Sequence, residues 1–281
     1  MIVIVNGVRT AMGGFQGALS ACTAPDLGAV AIKEAVARSG LQPTDIDEVI
    51  FGCVLPAGLK QGPARQAMRQ AGLPDSTGAT TINKICGSGM KAVMQAADAV
   101  KAGSAQIVVA GGMESMSNAP FLLEKARGGY RMGHGKTTDH MFQEGLEDAE
   151  TGLSMGILAQ EMADKKGYTR EQQDAFAISS LNKAVTAINN GYFKAEIAPV
   201  TVSSRKGDVV IEQDEQPLNA KADKIPTLRP AFKKDGTITA ANSSSISDGA
   251  SALVITSEEI AAERGLEPVA KVLAYAGHSQ H

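Results

Sequence analysis

The chain has 281 residues and a formal net charge of −3, and is 43% hydrophobic and 20% charged with no Trp. That balance suits a globular protein with a sizeable core. It offers neither the basic patch nor the aromatic surface of a nucleic-acid binder, and no run of membrane-spanning length. Three cysteines, Cys22, Cys53 and Cys86, form no Cys-x-x-Cys pair, which excludes a disulfide scaffold and a zinc module. The first seven residues lack a basic segment and are too short an apolar run for a signal peptide, so a cytoplasmic protein with no membrane contact is expected. Thirty glycines and eleven methionines point to tight turns, close backbone packing and an adaptable apolar pocket.

In chain order, residues 2–5 read as a strand, followed by the glycine-rich loop Arg9-Thr10-Ala11-Met12-Gly13-Gly14-Phe15-Gln16-Gly17. Residues 26–39 have helical apolar spacing and stop at Gly40. Residues 49–54 read as a second strand, and Pro63 opens a short helix ended by Gly72 and Pro74. A third strand over 79–85 leads to Cys86, and a helix over 87–102 places Met90, Val93, Met94 and Ala97 on one face. Residues 107–110 read as a fourth strand, stopped by Gly111-Gly112. Apolar strands alternating with helices imply a mostly parallel sheet covered on both faces.

The alternation lapses after Gly112, and polar residues dominate from about 114 to 241. Helices are expected over 154–166 and 170–190, the second opened by the capping box Thr169-Arg170-Glu171-Gln172, with a hairpin around Ser203-Ser204-Arg205-Lys206-Gly207. This stretch reads as an insertion, or lid, over the sheet domain. Strand character returns at 252–256, then a short helix over 258–264 and a strand over 269–276.

The candidate site is Asn83-Lys84-Ile85-Cys86-Gly87-Ser88-Gly89-Met90-Lys91-Ala92. A thiol at a strand-to-helix turn meets the free N–H groups and the dipole of the helix N-terminus, which favour the thiolate. A buried structural thiol is the competing reading for Cys86, and the one adopted for Cys22 and Cys53. Gly87 to Ala92 also fits the dinucleotide fingerprint, but it follows a third strand and lacks an acidic residue at the next strand's end. The four histidines are His134, His140, His278 and His281; the first two lie six residues apart, without the i, i+4 spacing or carboxylate pattern of a helical zinc site, so no metal is expected and they read as solvated loop residues. Asn242-Ser243-Ser244-Ser245-Ile246-Ser247-Asp248-Gly249 reads as a helix cap and loop, or as donors beside a ligand.

The segment around Cys86 resembles the nucleophile motif of the thiolase family, in its acetyl-CoA acetyltransferase and 3-ketoacyl-CoA thiolase group. The resemblance extends in collinear order to Arg9-Thr10-Ala11, with Ala11 where the family has Pro, and to Gly62-Pro63-Ala64-Arg65-Gln66-Ala67. It continues through Ala110-Gly111-Gly112-Met113-Glu114-Ser115-Met116-Ser117, Leu228-Arg229-Pro230-Ala231-Phe232, and Asn242-Ser243-Ser244 to Asp248-Gly249-Ala250. It implies an α/β, thiolase-like layered fold. Residues 1–118 and 247–269 would form the N-terminal domain, 119–246 an inserted α+β lid that carries CoA, and 270–281 the start of a second domain largely absent from these residues. It further implies that Cys86 is acylated by an acyl-CoA and passes the acyl group to an acetyl-CoA enolate, or to CoA in the reverse direction. Ser244 would contact the pantetheine arm and Met155 would line the acyl or pantetheine pocket. The resemblance implies coenzyme A thioesters as substrates, no permanently bound cofactor, and a homodimer or homotetramer.

The family's Asn-Glu-Ala-Phe, Gly-His-Pro and Cys-x-Gly-Gly-Gly segments do not occur in these 281 residues, and Gly277-His278-Ser279 is not a match for the second. The resemblance assigns those segments the base that activates the nucleophile and the second thiol that moves the substrate proton. Ser154 stands where some relatives have His, and Leu218 where relatives often have Arg. Two further readings follow: a fragment that binds CoA or awaits a complementary half, and a β-ketoacyl synthase of the same broad fold.

Overall fold

The computed structural model describes residues 1–205 and 207–279; Lys206 of the hairpin turn and His281 lie outside the described residues. Its elements in order are β1 (Ile2–Thr10), β2 (Gly13–Gly14), α1 (Ala24–Arg38), β3 (Glu48–Gly52), α2 (Pro63–Gln70), β4 (Gly78–Ile82), α3 (Ser88–Lys101) and β5 (Val108–Ser115). There follow β6 (Phe121–Leu122), β7 (Thr138–Asp139), α4 (Met155–Lys166), α5 (Arg170–Asn189), β8 (Ile197–Ala198), β9 (Val200–Ser204), β10 (Gly207–Ile211) and α6 (Glu215–Asn219). The last are β11 (Ser247–Ser257), α7 (Glu258–Glu263) and β12 (Ala270–Val272).

The main sheet runs β12-β1-β11-β5-β3-β4, with β2 beside β11 and β8 beside β1. Its interior strands are apolar at successive positions because both faces are covered. Val49, Phe51, Val109 and Val254 turn toward α1 and α2, meeting Ile32, Val36, Ala67 and Met68. Ile50, Val108, Ala110 and Ile255 turn the other way, onto Ala92, Ala96 and Ala97 of α3. The small residues along α3 let that helix lie close to the strands. A register shift between Ile4 and Asn6 puts a bulge in β1, so that Val3, Val5 and Val8 all reach the α1 face.

The α/β class and the sheet covered on both faces are as expected, but the strand directions are mixed rather than mostly parallel. β3 runs parallel to β4 and β5, as the βαβ units require. β11 lies antiparallel to both β1 and β5, and β12 antiparallel to β1. β11 enters after the long excursion through residues 119–246, so no helical crossover sets its direction.

Gly111-Gly112 does not stop the fourth strand, which continues to Ser115. A β-carbon on Gly111 would lie 1.9 Å from the Ser251 carbonyl oxygen, so the glycine lets β5 and β11 close. The polar turn at 242–249 precedes no helix: from Ser247 it is already strand, pairing Asp248 with Ser115 and Gly13. The last strand covers only Ala270–Val272. Within residues 119–246, Thr169 caps α5 in a capping box with Gln172, as read from the sequence. The β9–β10 hairpin packs Val200, Val202 and Ile211 on Leu19, Cys22 and Leu27.

Candidate active site

β4 ends at Ile82, three residues earlier than expected, and residues 83–87 turn the chain into α3. Asn83 Oδ1 accepts the Ile85 N–H at 2.9 Å. Ser88 Oγ accepts the Lys84 N–H at 2.8 Å and donates to the Ile85 carbonyl at 2.6 Å. Held this way, Ile85 adopts φ 48°, a left-handed conformation that a β-branched residue rarely takes. Cys86 follows at once and is exposed, whereas Cys22 and Cys53 are buried.

Gly52, at the end of β3, brings the helix onto the sheet. A β-carbon there would sit 2.5 Å from Ser88 Cβ and 2.9 Å from the Gly89 nitrogen. α3, like α2 and α6, has no side-chain cap at its first turn. Thr23, Ser154, Thr169 and Ser257 cap α1, α4, α5 and α7 with their side chains, but Gly87 supplies no side-chain cap to α3. The Ser88 N–H donates to the Ile85 carbonyl at 3.0 Å, which leaves the Gly89 and Met90 N–H groups of the first turn of α3 for an anionic or carbonyl ligand.

Cys86 opens into a cleft of about 540 Å³. Arg9, Met12, Val54, Glu114, Asp248 and Ser251 share its wall. Arg9 grips Asp214 with two nitrogens at 2.7 and 3.0 Å, donates to Glu196 at 2.7 Å, and lies 5.0 Å from the centre of the Phe193 ring. Burial alone would lower the Arg9 pKa, and these acceptors reverse that and hold it above its ordinary value. Glu114 accepts the Val54 and Leu55 N–H groups at 2.8 and 3.0 Å, with Cys53 Sγ at 3.6 Å. Burial pushes the Glu114 carboxyl up against the pull of those two N–H groups. Burial, then the Glu114 charge, push the Cys53 thiol up to about 12. Asp248 accepts the Ser117 N–H at 3.0 Å through Oδ1, while its buried Oδ2 has no partner among the described residues.

Of the three residues expected to form the site, only Cys86 lines this cleft. Ser244 is exposed, three residues before the lining residue Ser247. Met155 is the first residue of α4 and 39% exposed. Ser154 caps that helix by accepting the Ile157 N–H at 3.4 Å. The histidine reading needs correction in one case. His134 and His278 are exposed, but His140 is buried, its Nε2 accepting the Ala57 N–H at 3.4 Å and its Nδ1 unpartnered among the described residues. Glu114 has no site role in the sequence reading, and Asp248 enters it only as part of the polar turn 242–249. Once β5 runs through the glycine pair, two-residue alternation sets Glu114 on the same face as Gly112, toward α3.

A family model described as the N-terminal domain of thiolase matches residues 2–259. Acetyl-CoA acetyltransferase of Escherichia coli (strain K12) is 51% identical over 276 residues, covering 98% of this chain and 70% of that relative. The acetyl-CoA acetyltransferase of Syntrophomonas wolfei is 48% identical over 277 residues, again 98% of this chain and 70% of the relative. Among solved structures, the Acat5 thiolase of Ascaris suum in complex with coenzyme A superposes with a TM-score of 0.91 at 44% identity, over 98% of this chain and 70% of that one. The acetyl-CoA acetyltransferase of Bacillus anthracis superposes with a TM-score of 0.92 at 41% identity, over 95% of this chain and 68% of that one.

Proposed function

This chain belongs to the thiolase family, and on that premise we propose that it takes an acyl group from a coenzyme A thioester onto Cys86, the first half of a reversible Claisen condensation between acyl-CoA and acetyl-CoA. One observation carries the reading. The single exposed thiol of the chain follows a strained residue and precedes an uncapped helix N-terminus, inside a cleft. A thiol is the right group here: it is strongly nucleophilic as the thiolate and leaves readily when its thioester is attacked in turn. Attack on the thioester carbonyl forms the S-acyl bond at Cys86 and expels CoA as its thiolate, which takes up a proton.

The Ascaris suum neighbour holds coenzyme A. By that likeness CoA is the ligand proposed for this chain, with Ser244 against the pantetheine arm, Met155 at the acyl or pantetheine pocket, and residues 119–246 as the cover. No residue of this chain is assigned the proton abstraction of the condensation step, because the His and second Cys segments implied for it do not occur in the sequence. A second reading is a CoA-binding body that works with a complementary half. Mixing the protein with acetyl-CoA and measuring free CoA separates the two. Acyl transfer predicts one equivalent released per chain, lost in Cys86→Ser. Binding of CoA with no release contradicts the transferase reading and leaves the second.

A further inference from the structure

Glu114 is an expensive residue to keep where it is. Its carboxyl is desolvated, and among the described residues no cation pairs with it. What it does have is two oxygens matched to two successive backbone N–H groups, those of Val54 and Leu55. The Val54 carbonyl in turn accepts from Asn83 Nδ2 at 3.4 Å, and Asn83 Oδ1 accepts the Ile85 N–H. These bonds form a continuous line from β5 to the residue before Cys86. Ile85 is not glycine, so its left-handed φ must be held from outside. Asn83 holds its N–H and Ser88 its carbonyl, and the backbone angles at Ile85 set where the Cys86 side chain points.

We propose that Glu114 is a positioning residue for Cys86, acting through Val54 and Asn83 to hold Ile85 in its strained conformation. The proposal rests on the reading of Cys86 as the reacting thiol, but the relay is testable without any acyl-CoA. Glutamine at 114 keeps the shape and offers one acceptor oxygen in place of two, so one of the two N–H groups loses its partner. Alanine at 83 breaks the line altogether. Aspartate at 83 retains an acceptor for the Ile85 N–H but has no donor for the Val54 carbonyl, so it cuts the line at that point only.

The experiment measures two quantities on wild type, Glu114→Gln, Asn83→Ala and Asn83→Asp: hydrogen exchange at the Ile85 amide, and iodoacetamide alkylation of Cys86 followed by peptide mass. Glu114→Gln and Asn83→Ala should speed the exchange and slow the alkylation by about fivefold, the scale of one lost hydrogen bond. Asn83→Asp keeps the direct acceptor but loses the link to Val54, so it should speed the exchange and slow the alkylation as Glu114→Gln does, to within about twofold of that variant. Unchanged exchange and alkylation in Glu114→Gln overturns the proposal. So does Asn83→Asp behaving like wild type, since the link to Val54 would then be idle, and so does a Glu114→Gln protein that cannot fold while Asn83→Ala can, since the carboxylate would then serve the fold rather than the thiol. Failure of wild-type Cys86 to accept an acetyl group is a separate result, which contradicts the proposed function and not the relay.

Discussion

At the scale of single residues, Cys53 and Cys86 are one chemical group in two settings. Cys53 is 1% exposed beside the Glu114 carboxylate, and its thiol is pushed up to about 12 from an ordinary 9.0. A raised pKa means that the folded protein holds the proton more tightly than the unfolded chain does. The stability linked to Cys53 is therefore fully present below about pH 9 and is lost as pH rises through about 12. Cys53→Ala should show a smaller drop in thermal midpoint than wild type between about pH 8 and about pH 10.5. An equal drop would mean that Cys53 ionises in the folded protein as it does in the unfolded chain. Exposure alone sorts the thiols for reagents. In native buffer iodoacetamide should label Cys86 and spare Cys22 and Cys53, while in urea all three should react, as peptide mapping would show. The sequence revealed which thiol sits at a helix start, because turn glycines and a helical pattern are local signals. It did not reveal Glu114 as a neighbour of Cys53 and Val54, since that contact spans about sixty positions and depends on how β5 aligns with β3.

Elements were legible where their signals are local. The capping box of α5 and the glycines after α1 and α5 fall where the sequence put them. Thr169→Ala should lower stability by about 1 kcal/mol, measured by thermal or urea unfolding, because it removes the acceptor for an N–H of the first turn. The glycine pair of β5 misled, because glycine in a strand signals either an end or a close approach, and only the partner strand decides. Here the partner is the Ser251 backbone of β11. Gly111→Ala must push β5 and β11 apart at their centre and should cost about 3 kcal/mol, read as a shift in the urea midpoint at constant slope. An unchanged midpoint would mean that the two strands part without loss at that position. β11 itself was half seen. Its apolar part, 252–256, was plain, but Ser247 to Ser251 look like loop residues and become strand only because β2, β5 and β1 pair with them.

At the scale of the whole molecule, both walls of the cleft come from long-range pairing. One is the β3–α2 corner, held to β5 by Glu114, and the other is the start of β11, held between β1 and β5. The α/β class could be read from alternating apolar runs, but strand order could not, since β11 arrives after 119–246 and turns the sheet from parallel to mixed. The family resemblance supplied what composition and periodicity could not, naming the acyl chemistry and collinear motifs, and the family model and solved relatives place the chain in that family. Within the proposed reading, the molecule is a rigid sheet that presents one thiol at the end of an uncapped helix, with the chemistry resting on Cys86. The most direct test is to incubate the protein with acetyl-CoA, digest it at low pH and locate the acetyl group by peptide mass. The account predicts the group on the peptide carrying Cys86, and none in Cys86→Ser. An acetyl group found on another residue at equal yield, or on none, would contradict it.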